Sequence, residues 1–600
     1  MISAIRSALI STFSTIFFVT AVLYIVEDYR FISTLKHSHV LVAAGISLIT
    51  WLGLFFVFKP SFLKKYFLPA LILPLIWFST FTWAYGFMHL PESETLGDYY
   101  IFSSLLFSSA YIIFAWKQKI RTGAYICSLL LGFFYFLMTI IPSIYIAYYI
   151  IYKSEMDLFA MMAIAMTNIH ESLEFIQTVA PPAYIISTMA GVIILFSLCL
   201  YFASRIMIST AYQDPPLRSR TRLSYCCFVF ITVLFLGGFI RQAMYIFPIK
   251  IYRSMHQGGG SYELLRTLNE NLGNNAKNIS FLSYQTSAKG THIVIIGESA
   301  NRDHMDAFTP DYPEKTTPWE TDMSHSPDFA FNTRSYANFP STALSLTYAL
   351  TSTNQYNNIT LKNTISLVDA AKAAGYDTYW ISFQGRSSLA SAGVSVIGER
   401  CDKSYWEGGL DTEVLKTLKR LPSSHKRIIF IHLNGSHYNY SARFPMGYGN
   451  STGISPSDPY YDYDVTLAYD DQLLKDIFTY AKENMNLQTM IYFSDHGEDM
   501  AHYHGTAPFT YDMARIPFWI YISPSYQKLH PGLLPSLRNN SGKVFTNDLL
   551  FDTASGLWQI KSNYYHEIYD LSSPAYALTA EQARTMHGKR LITDDPEFRK

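Results

Sequence analysis

The chain has little cysteine, little charge and no excess charge of either sign. Five cysteines occur in 600 residues, and Cys401 alone lies beyond residue 245, so no internal disulfide can stabilise that half. Charged residues make up 15% of the chain and the formal net charge is zero, so the charge balance gives no indication of nucleic-acid binding. The second half must therefore be stabilised by its own core and, as the motifs below indicate, by a metal.

Long apolar runs are confined to the first 245 residues. A helix needs about 20 residues to cross roughly 30 Å of hydrocarbon, and seven runs approach or exceed that length, at about 8–26, 39–58, 66–87, 99–116, 123–152, 182–204 and 223–245. The first run follows Arg6 and could be a signal peptide. Because it lacks a small-residue cleavage site and further spans follow, it is predicted to be an uncleaved anchor. Residues 1–245 are thus predicted to form a transmembrane domain.

Lysine and arginine cluster after the second, fourth and sixth spans, which predicts that these loops are cytoplasmic. The residues concerned are Lys59, Lys64, Lys65, Lys117, Lys119, Arg121, Arg218, Arg220 and Arg222. Alternation of the spans then places everything after residue 245 on the outer side of the membrane. Between two spans, segment 153–178 is interrupted by polar residues, and its apolar residues recur at roughly helical spacing. It is predicted to be an amphipathic helix on the outer membrane surface, with a solvated connector as an equal alternative.

The second half of the chain alternates apolar strand patterns with helical ones. Residues 246–290 are polar and predict a linker, and residues 291–600 predict a soluble α/β domain around a mostly parallel sheet. The predicted strands are 292–296, 378–382, 427–433, 489–493 and 518–522. The predicted helices are 342–350, 366–374, 412–418 and 467–484.

Acidic and imidazole groups follow two of these predicted strands. Glu298 comes shortly after the strand at 292–296, and Asp495 and His496 come shortly after the strand at 489–493. Because open α/β sheets place their chemistry at the carboxyl ends of strands, these three side chains are expected to meet. Two carboxylates and one imidazole suit zinc, or manganese with less preference.

A stretch rich in hydroxyl groups, residues 338–347, lies between the two motifs and leads into a predicted helix. The N-terminus of a helix attracts anions such as phosphate, and a hydroxyl beside a metal could attack phosphorus. On chemistry alone Ser341, Thr342 and Ser345 are all candidate nucleophiles. The structural alternative is a helix N-cap.

Two further histidine clusters follow strand ends on the same expected edge. His437 and His504 are predicted to face the site because both come after strands that end there. His432 lies within its predicted strand. It is equally consistent with a metal ligand and with a residue that contacts a ligand from behind.

These motifs together resemble a family. The stretches Gly297-Glu298-Ser299 and Arg302-Asp303-His304, followed by Gly435-Ser436-His437, Arg443-Phe444-Pro445 and Ser494-Asp495-His496-Gly497-Glu498, are similar to those of the phosphoethanolamine transferases of Gram-negative inner membranes. That family belongs to the sulfatase and alkaline-phosphatase-like superfamily. The resemblance covers the whole architecture, with membrane helices first and the catalytic domain second.

The resemblance implies a membrane-bound enzyme of the bacterial inner membrane whose catalytic domain is periplasmic. Phosphatidylethanolamine would donate phosphoethanolamine to the nucleophile, which maps to Thr342, and a glycan would then accept the group. Glu298, Thr342, Asp495 and His496 would bind zinc, while His437 and His504 would hold the phosphate or a second zinc. The resemblance also implies headgroup contacts by Arg386 and, on the amphipathic segment, by Asn168, Glu171 and Ser172.

The chain departs from the best-known lipid A modifying members of that family. Those members place cysteines around the nucleophile and have five spans, whereas this chain has Phe339 and Thr347 there and seven predicted spans. The acceptor is therefore open between lipid A, the lipopolysaccharide core and another periplasmic glycan. Two alternative functions remain: a phosphoglycerol transferase of the lipoteichoic acid synthase type, and a non-catalytic membrane sensor on the same fold.

Overall fold

The computed structural model describes residues 261–282, 289–384, 392–504 and 509–599, together with isolated positions between 190 and 233. Those isolated positions belong to one compact unit and residues 261–599 to another. Apart from them, the seven predicted spans lie outside the described residues, as do the predicted amphipathic segment with Asn168, Glu171 and Ser172, and the predicted headgroup residue Arg386. In the described part of the chain, no helix has the length and apolar character needed to cross a membrane.

A seven-stranded sheet is the centre of the unit that contains residues 261–599. The strands of this unit, in chain order, are β1 (Gly290–Gly297), β2 (Phe329–Phe331), β3 (Ser335–Tyr336), β4 (Asp377–Ser382), β5 (Lys403–Trp406), β6 (Lys426–His432), β7 (Leu487–Ser494), β8 (Phe518–Ile522), β9 (Phe545–Thr546), β10 (Arg584–Thr585) and β11 (Arg590–Leu591). The sheet has the order β2-β8-β7-β1-β6-β4-β5, while β3 pairs with β9 and β10 with β11. Neighbours from β7 to β5 are parallel, and β8 and β2 add an antiparallel edge. The predicted mostly parallel sheet is confirmed.

Helices cover the sheet. In chain order they are α1 (Ser261–Ala276), α2 (Pro318–Ser324), α3 (Thr342–Ala349), α4 (Leu367–Ala373), α5 (Ala392–Glu399), α6 (Val414–Arg420), α7 (Tyr461–Asn484), α8 (Pro524–Leu529), α9 (Leu533–Asn539) and α10 (Leu550–Leu557). The four helices predicted from periodicity are present. The predicted helix at 412–418 is a short 3-10 turn followed by α6, and α7 begins at Tyr461 rather than at 467 because its buried face includes acidic and tyrosine side chains.

The burial of the two central strands, β1 and β7, explains why their sequences are apolar. Every residue of β1 and β7 is buried, as expected for parallel strands that are covered on both faces. On one face, Ile293 and Ile295 belong to a core cluster with Ile477 of α7. On the other face, the rings of His292 and Phe430 contact Trp558, which follows α10.

Part of the segment predicted to be a linker is helical. Helix α1 lies within residues 246–290, and its Leu268 and Leu272 are completely buried. The helix contacts α4 and α5. Residues four apart lie on one face of a helix, so these two leucines attach α1 to the domain despite the polar composition of the segment around them.

The register of the parallel strands brings four carboxyl ends to one edge of the sheet. Gly297 of β1 pairs with Ser494 of β7, and Ile296 pairs with His432 of β6. His432 in turn pairs with Ser382 at the end of β4. Whatever follows these four strands in the sequence is therefore gathered at one place.

Candidate metal centre

Glu298 and Asp495 lie next to each other because each follows one of two paired strands. Both side chains are completely buried. Ser299, which has a left-handed φ of 57°, donates its backbone N–H to Asp495 Oδ1 over 3.1 Å. Its hydroxyl donates to Glu298 Oε1 over 2.7 Å. The unusual backbone conformation of Ser299 thus connects the two carboxylates.

His496 lies between the two carboxylates. Its Nδ1 donates to the backbone oxygen of Gly497 over 2.9 Å, and since a carbonyl oxygen can only accept, this contact assigns a proton to Nδ1. The Nε2 atom lies 3.3 Å from Glu298 Oε1 and 3.3 Å from Asp495 Oδ2. The three predicted ligands are therefore brought together as the sequence indicated.

The electrostatics of this cluster favour a positive charge at its centre. Although burial raises the pKa of Glu298, the neighbouring His496 holds that pKa well below the ordinary value. Burial disfavours the charged imidazole, but Asp495 and Glu298 raise the pKa of His496 to about 10. Burial and the Glu298 carboxylate raise the pKa of Asp495 well above its usual range. Two buried carboxylates this close to each other favour a cation or a shared proton between them.

The donor atoms at this position fit a metal ion. One ligand atom each of Glu298, His496 and His504 lies within 4.8 Å of the others. The Oδ2 atom of Asp495 is buried and accepts no hydrogen bond, although His496 Nε2 lies 3.3 Å from it. A buried carboxylate oxygen without a hydrogen bond is costly unless something else binds it. Carboxylate oxygens and imidazole nitrogens are donors that zinc accepts.

Thr342 is the first residue of α3 and faces this cluster. Its hydroxyl donates to Glu298 Oε2 over 2.9 Å and lies 3.4 Å from His496 Nε2. The preceding residue, Ser341, is the N-cap by position, but its side chain makes no capping hydrogen bond. Ser345 is completely buried, and its hydroxyl donates to the backbone oxygen of Asp495 over 2.6 Å. Of the three candidate hydroxyls, that of Thr342 makes contacts with both Glu298 and His496.

A buried asparagine that sequence reasoning missed supports helix α3. Asn547 donates its Nδ2 to Ser345 Oγ and to the backbone oxygen of Asp495, both over 2.9 Å. Its Oδ1 accepts from the backbone N–H of Asn338 over 2.8 Å and from the Asn338 amide over 2.6 Å. Asn547 lies about two hundred residues from α3 in sequence, and no local pattern marks it.

Gln384 is a second contact that the sequence did not reveal. It follows β4, and its amide donates to Glu298 Oε2 over 2.8 Å and to the Leu433 backbone oxygen over 3.0 Å. Its place after a strand at the edge of the sheet that carries Glu298 is a signal that could have identified it. The same rule pointed to Glu298 and Asp495.

The three remaining histidines occupy different positions. The His504 ring lies 4.3 Å from the His496 ring, centroid to centroid, and the His437 ring lies 5.7 Å from that of His504. His432 is buried at the end of β6, where its Nδ1 is 3.2 Å from the Ser382 hydroxyl. His437 and His504 thus flank the cluster, and His432 contacts β4 behind it.

The stretch Arg302-Asp303-His304 makes contacts with neighbouring elements rather than with the cluster. Asp303 forms a 2.6 Å ion pair with Arg515. His304 Nδ1 lies 3.1 Å from Asp464 Oδ1 and 2.7 Å from the Tyr312 hydroxyl. These contacts attach the segment after Glu298 to α7 and to the segment before β8.

A model of the sulfatase family matches residues 291–560. These residues are a sulfatase-family domain. The match includes all of the cluster described above and the strands whose ends carry it.

Curated relatives of this sulfatase-family domain are named as phosphoethanolamine transferases. EptC of Escherichia coli K12 is 29% identical over 273 residues, which are 40% of this chain and 46% of that protein. CptA of Salmonella typhimurium is 25% identical over 348 residues, which are 52% of this chain and 59% of that protein. The chain therefore spans about half the length of the curated relatives it matches.

A solved structure extends the likeness to more of the chain. It is lipooligosaccharide phosphoethanolamine transferase A (EptA), an integral membrane protein from Neisseria meningitidis, with a TM-score of 0.51 and 15% identity. The alignment covers 84% of this chain and 96% of that chain. At this level of identity the likeness shows the fold alone.

Gly435 is expected to be intolerant of a side chain because it touches Glu298. It has a left-handed φ of 49°, and an added Cβ would lie 2.8 Å from the Glu298 backbone nitrogen and 2.9 Å from its oxygen. We expect Gly435→Ala to lower the free energy of unfolding by roughly 1–3 kcal/mol and to reduce metal affinity. Thermal unfolding and zinc titration would measure both.

Gly409→Ala is the matched control for this prediction. Gly409 also has a left-handed φ, 93°, but an added Cβ would have no atom within 4 Å. Gly409→Ala should lower the free energy of unfolding by about 1 kcal/mol, which is the cost of a left-handed backbone conformation alone. Its zinc affinity should be unchanged. Equal zinc affinities in the two variants would contradict the contact between Gly435 and Glu298 as the cause.

Proposed function

We propose that this protein is a membrane-bound, metal-dependent transferase that moves phosphoethanolamine from phosphatidylethanolamine to a glycan of the cell envelope. The observation that carries the proposal is the Thr342 hydroxyl at the start of α3, hydrogen-bonded to Glu298 beside His496. The sulfatase-family domain and its curated relatives, which are named phosphoethanolamine transferases, support the transferred group. Those names favour this function over a phosphoglycerol transferase or a non-catalytic sensor.

We assign the metal to Glu298, Thr342, Asp495 and His496, and we propose zinc, with manganese as a weaker substitute. When bound, zinc would supply Lewis-acid activation of the hydroxyl and neutralisation of charge on the phosphate. The protein's own residues orient the Thr342 hydroxyl. The hydrogen bond from Thr342 Oγ1 to Glu298 Oε2 directs the hydroxyl proton to the carboxylate, so that a lone pair of the oxygen is available to phosphorus.

The reaction would proceed in two displacements. The Thr342 oxygen forms a bond to phosphorus and its proton passes to a neighbouring base. The bond from phosphorus to the diacylglycerol oxygen breaks, and that oxygen takes up the proton from the base, so that diacylglycerol leaves as an alcohol. Phosphoethanolamine is then bound covalently to Thr342. A glycan hydroxyl, which gives its proton to the base, or a glycan phosphate oxygen then attacks the same phosphorus. The bond from phosphorus to the Thr342 oxygen breaks, and that oxygen takes up a proton from the base or from water.

The rest of the chain would bring the site to its lipid donor. We propose that residues 1–245 span the bacterial inner membrane, that residues 246–290 connect them to the catalytic domain, and that residues 291–600 lie in the periplasm. Asn168, Glu171, Ser172 and Arg386 would contact the lipid headgroup. The acceptor would be the lipopolysaccharide core, lipid A or another periplasmic glycan.

Two labelled donors test the transferred group. Full-length protein in proteoliposomes, given an envelope extract as acceptor, should transfer label from the ethanolamine of phosphatidylethanolamine and none from the glycerol headgroup of phosphatidylglycerol. Transfer from phosphatidylglycerol instead would support a phosphoglycerol transferase. Transfer from neither lipid would favour a sensor. Mass spectrometry of glycans and lipids from cells with and without the protein would identify the acceptor.

Metal removal tests the proposed cofactor. Treatment of the full-length protein with a chelator should abolish transfer, and added zinc should restore most of it, with manganese restoring less. Metal analysis of the purified protein should find zinc. Full activity after complete removal of divalent metal would exclude the proposed cofactor.

A further inference from the structure

The hairpin of β10 and β11 lies against the segment that leads into α3. Thr585, at the end of β10, donates its hydroxyl to the Ala337 backbone oxygen over 2.7 Å. The backbone N–H of His587 donates to the Asn338 backbone oxygen over 3.2 Å. Asn338 is four residues before the proposed nucleophile, Thr342. The hairpin is thus attached directly to the segment that carries Thr342.

The turn of this hairpin has an unusual backbone. Met586, His587 and Gly588 all have left-handed φ values, of 55°, 49° and 87°. A residue other than glycine adopts this conformation at a cost in free energy, so surrounding contacts must hold Met586 and His587 in it. The Met586 side chain is buried in one cluster with Phe339, and Gly588 donates its N–H to Gln355 Oε1 over 2.8 Å. These contacts on both sides fix the position of His587.

The His587 ring packs against two aromatic rings near Thr342. Its centroid lies 4.4 Å from that of Tyr348, with planes inclined by 31°, and 5.8 Å from that of Phe339, with planes inclined by 14°. The Phe339 and Tyr348 rings are 5.9 Å apart and inclined by 24°. These three roughly parallel rings form a surface that we call the aromatic shelf. Phe339 is buried, Tyr348 is half-buried and His587 is exposed, so the shelf is open to solvent at His587.

The aromatic shelf is near enough to Thr342 for one substrate to contact both. Phe339 precedes Thr342 by three residues, and Tyr348 follows it by six. A rise of about 1.5 Å per residue puts Tyr348 about 9 Å from Thr342 along the axis of α3. An oligosaccharide that presents one sugar to the phosphorus on Thr342 therefore has its next sugars within reach of the shelf.

The exposed side chains of the turn suit a sugar better than a lipid chain. The face of an aromatic ring carries partial negative charge, so it attracts the polarised C–H bonds on the apolar face of a pyranose. Lys589 and Arg590, which follow His587 closely in the chain, are exposed and would attract phosphate or carboxylate groups of the same glycan. Met586, the apolar side chain of the turn, is buried. The exposed part of the turn is thus polar and positively charged, which disfavours an acyl chain.

We propose that the aromatic shelf is an acceptor subsite, where a sugar ring of an anionic envelope glycan stacks on His587 while a neighbouring unit of that glycan attacks the phosphorus on Thr342. This inference rests on the proposed function and adds the residues that select the acceptor. His587 contacts the sugar, whereas Phe339 and Tyr348 are positioning residues that hold the His587 ring.

The experiment follows the two displacements separately, with the full-length protein in proteoliposomes. Phosphatidylethanolamine labelled in its ethanolamine is supplied first, and the rate at which label becomes bound to the protein is measured. Phospholipid-free glycans, extracted from envelopes of cells that lack the protein, are then added in increasing amounts, and the label they receive is measured. The first rate reports on the donor, and the half-saturating glycan concentration reports on the acceptor.

Two substitutions of His587 separate the ring from the turn. Asparagine tolerates a left-handed φ, so His587→Asn keeps the turn and removes the ring. It should raise the half-saturating glycan concentration by about 3–10-fold, the usual effect of losing one aromatic contact. His587→Phe keeps an aromatic ring and should stay within about twofold of the wild type. The rate of adduct formation from the donor should be unchanged in both variants.

His530→Asn is the matched control. The His530 ring lies 4.6 Å from that of Tyr526, centroid to centroid, so this substitution also removes an imidazole that contacts a tyrosine. His530 comes after β8, whose last residue, Ile522, pairs with Thr489 near the start of β7. It therefore lies at the edge of the sheet opposite to Thr342, and its replacement should change neither the adduct rate nor the half-saturating glycan concentration.

The outcomes distinguish this inference from the proposed function. Slower adduct formation in His587→Asn would assign the shelf to the donor lipid and overturn the proposal. An unchanged half-saturating concentration in His587→Asn, or an equal rise in His587→Phe or His530→Asn, would also overturn it. In these cases the wild-type protein still transfers phosphoethanolamine, so the proposed function stands. If the wild-type protein forms no adduct, both are wrong, and thermal unfolding of each variant identifies any loss that is due to misfolding.

Discussion

Thr342→Ala is expected to abolish phosphoethanolamine transfer while the protein folds and reaches the membrane. The hydroxyl is the atom proposed to attack phosphorus, so its removal should lower kcat by roughly 10³-fold or more. The cost in stability should be about 1 kcal/mol, because the half-buried side chain loses one hydrogen bond to Glu298. Transfer of labelled ethanolamine in proteoliposomes measures the first effect and thermal unfolding the second.

Ser341→Ala is the control for this variant. Ser341 precedes Thr342, and its side chain makes no capping hydrogen bond, so its removal should leave transfer within about threefold. Mass spectrometry of wild-type protein incubated with donor and no acceptor should find a phosphoethanolamine adduct on the peptide that contains Thr342. Normal transfer by Thr342→Ala would exclude Thr342 as the nucleophile and make Ser341 and Ser345 the residues to test.

Asn547→Ala is expected to destabilise the domain and disturb the site at the same time. Four hydrogen bonds connect Asn547 to Asn338, Ser345 and the backbone of Asp495. All these groups are buried, so the deletion leaves several of them unpaired and should lower the free energy of unfolding by about 3–5 kcal/mol. The start of α3 and the end of β7 lose their common support, and kcat should fall by about tenfold.

Asn540→Ala separates the two effects. Asn540 is also buried, and its amide donates to the backbone oxygens of Leu571 and Ser573, which are not part of the cluster. Its replacement should lower stability by about 2–3 kcal/mol without changing kcat per folded molecule. If both variants lose stability and both retain kcat, then Asn547 supports the fold but not the geometry of the site.

The strand ends could be predicted from the sequence because their signal is local. β1 and β7 are uniformly apolar, and each ends where acidic residues begin. A parallel sheet then requires neighbouring strands to present those residues at one edge. For the same reason the observed bounds of β1, β4, β6, β7 and β8 lie within two residues of those predicted.

Contacts made across long stretches of sequence were not predictable. Asn547 is an ordinary buried asparagine until folding places it against α3. The position of Gln384 after a strand was a signal, but its contact with Glu298 depends on the pairing of β4 beside β6. Helix α1 was not predicted from the sequence for a different reason. Its polar composition indicates a linker, whereas its attachment depends on buried leucines that include Leu268 and Leu272.

The sequence by itself determined which chemical groups are available: carboxylates, imidazoles and a hydroxyl stretch at the ends of predicted strands, in an order similar to that of a known transferase family. Only the tertiary structure decided which of these groups touch. It brought the Thr342 hydroxyl to Glu298, used Ser345 to hold a backbone carbonyl, and placed His437 and His504 beside the cluster. The physical reason is that residue type is a local property, whereas hydrogen-bond partners and local charge depend on strands and loops that are distant in the chain.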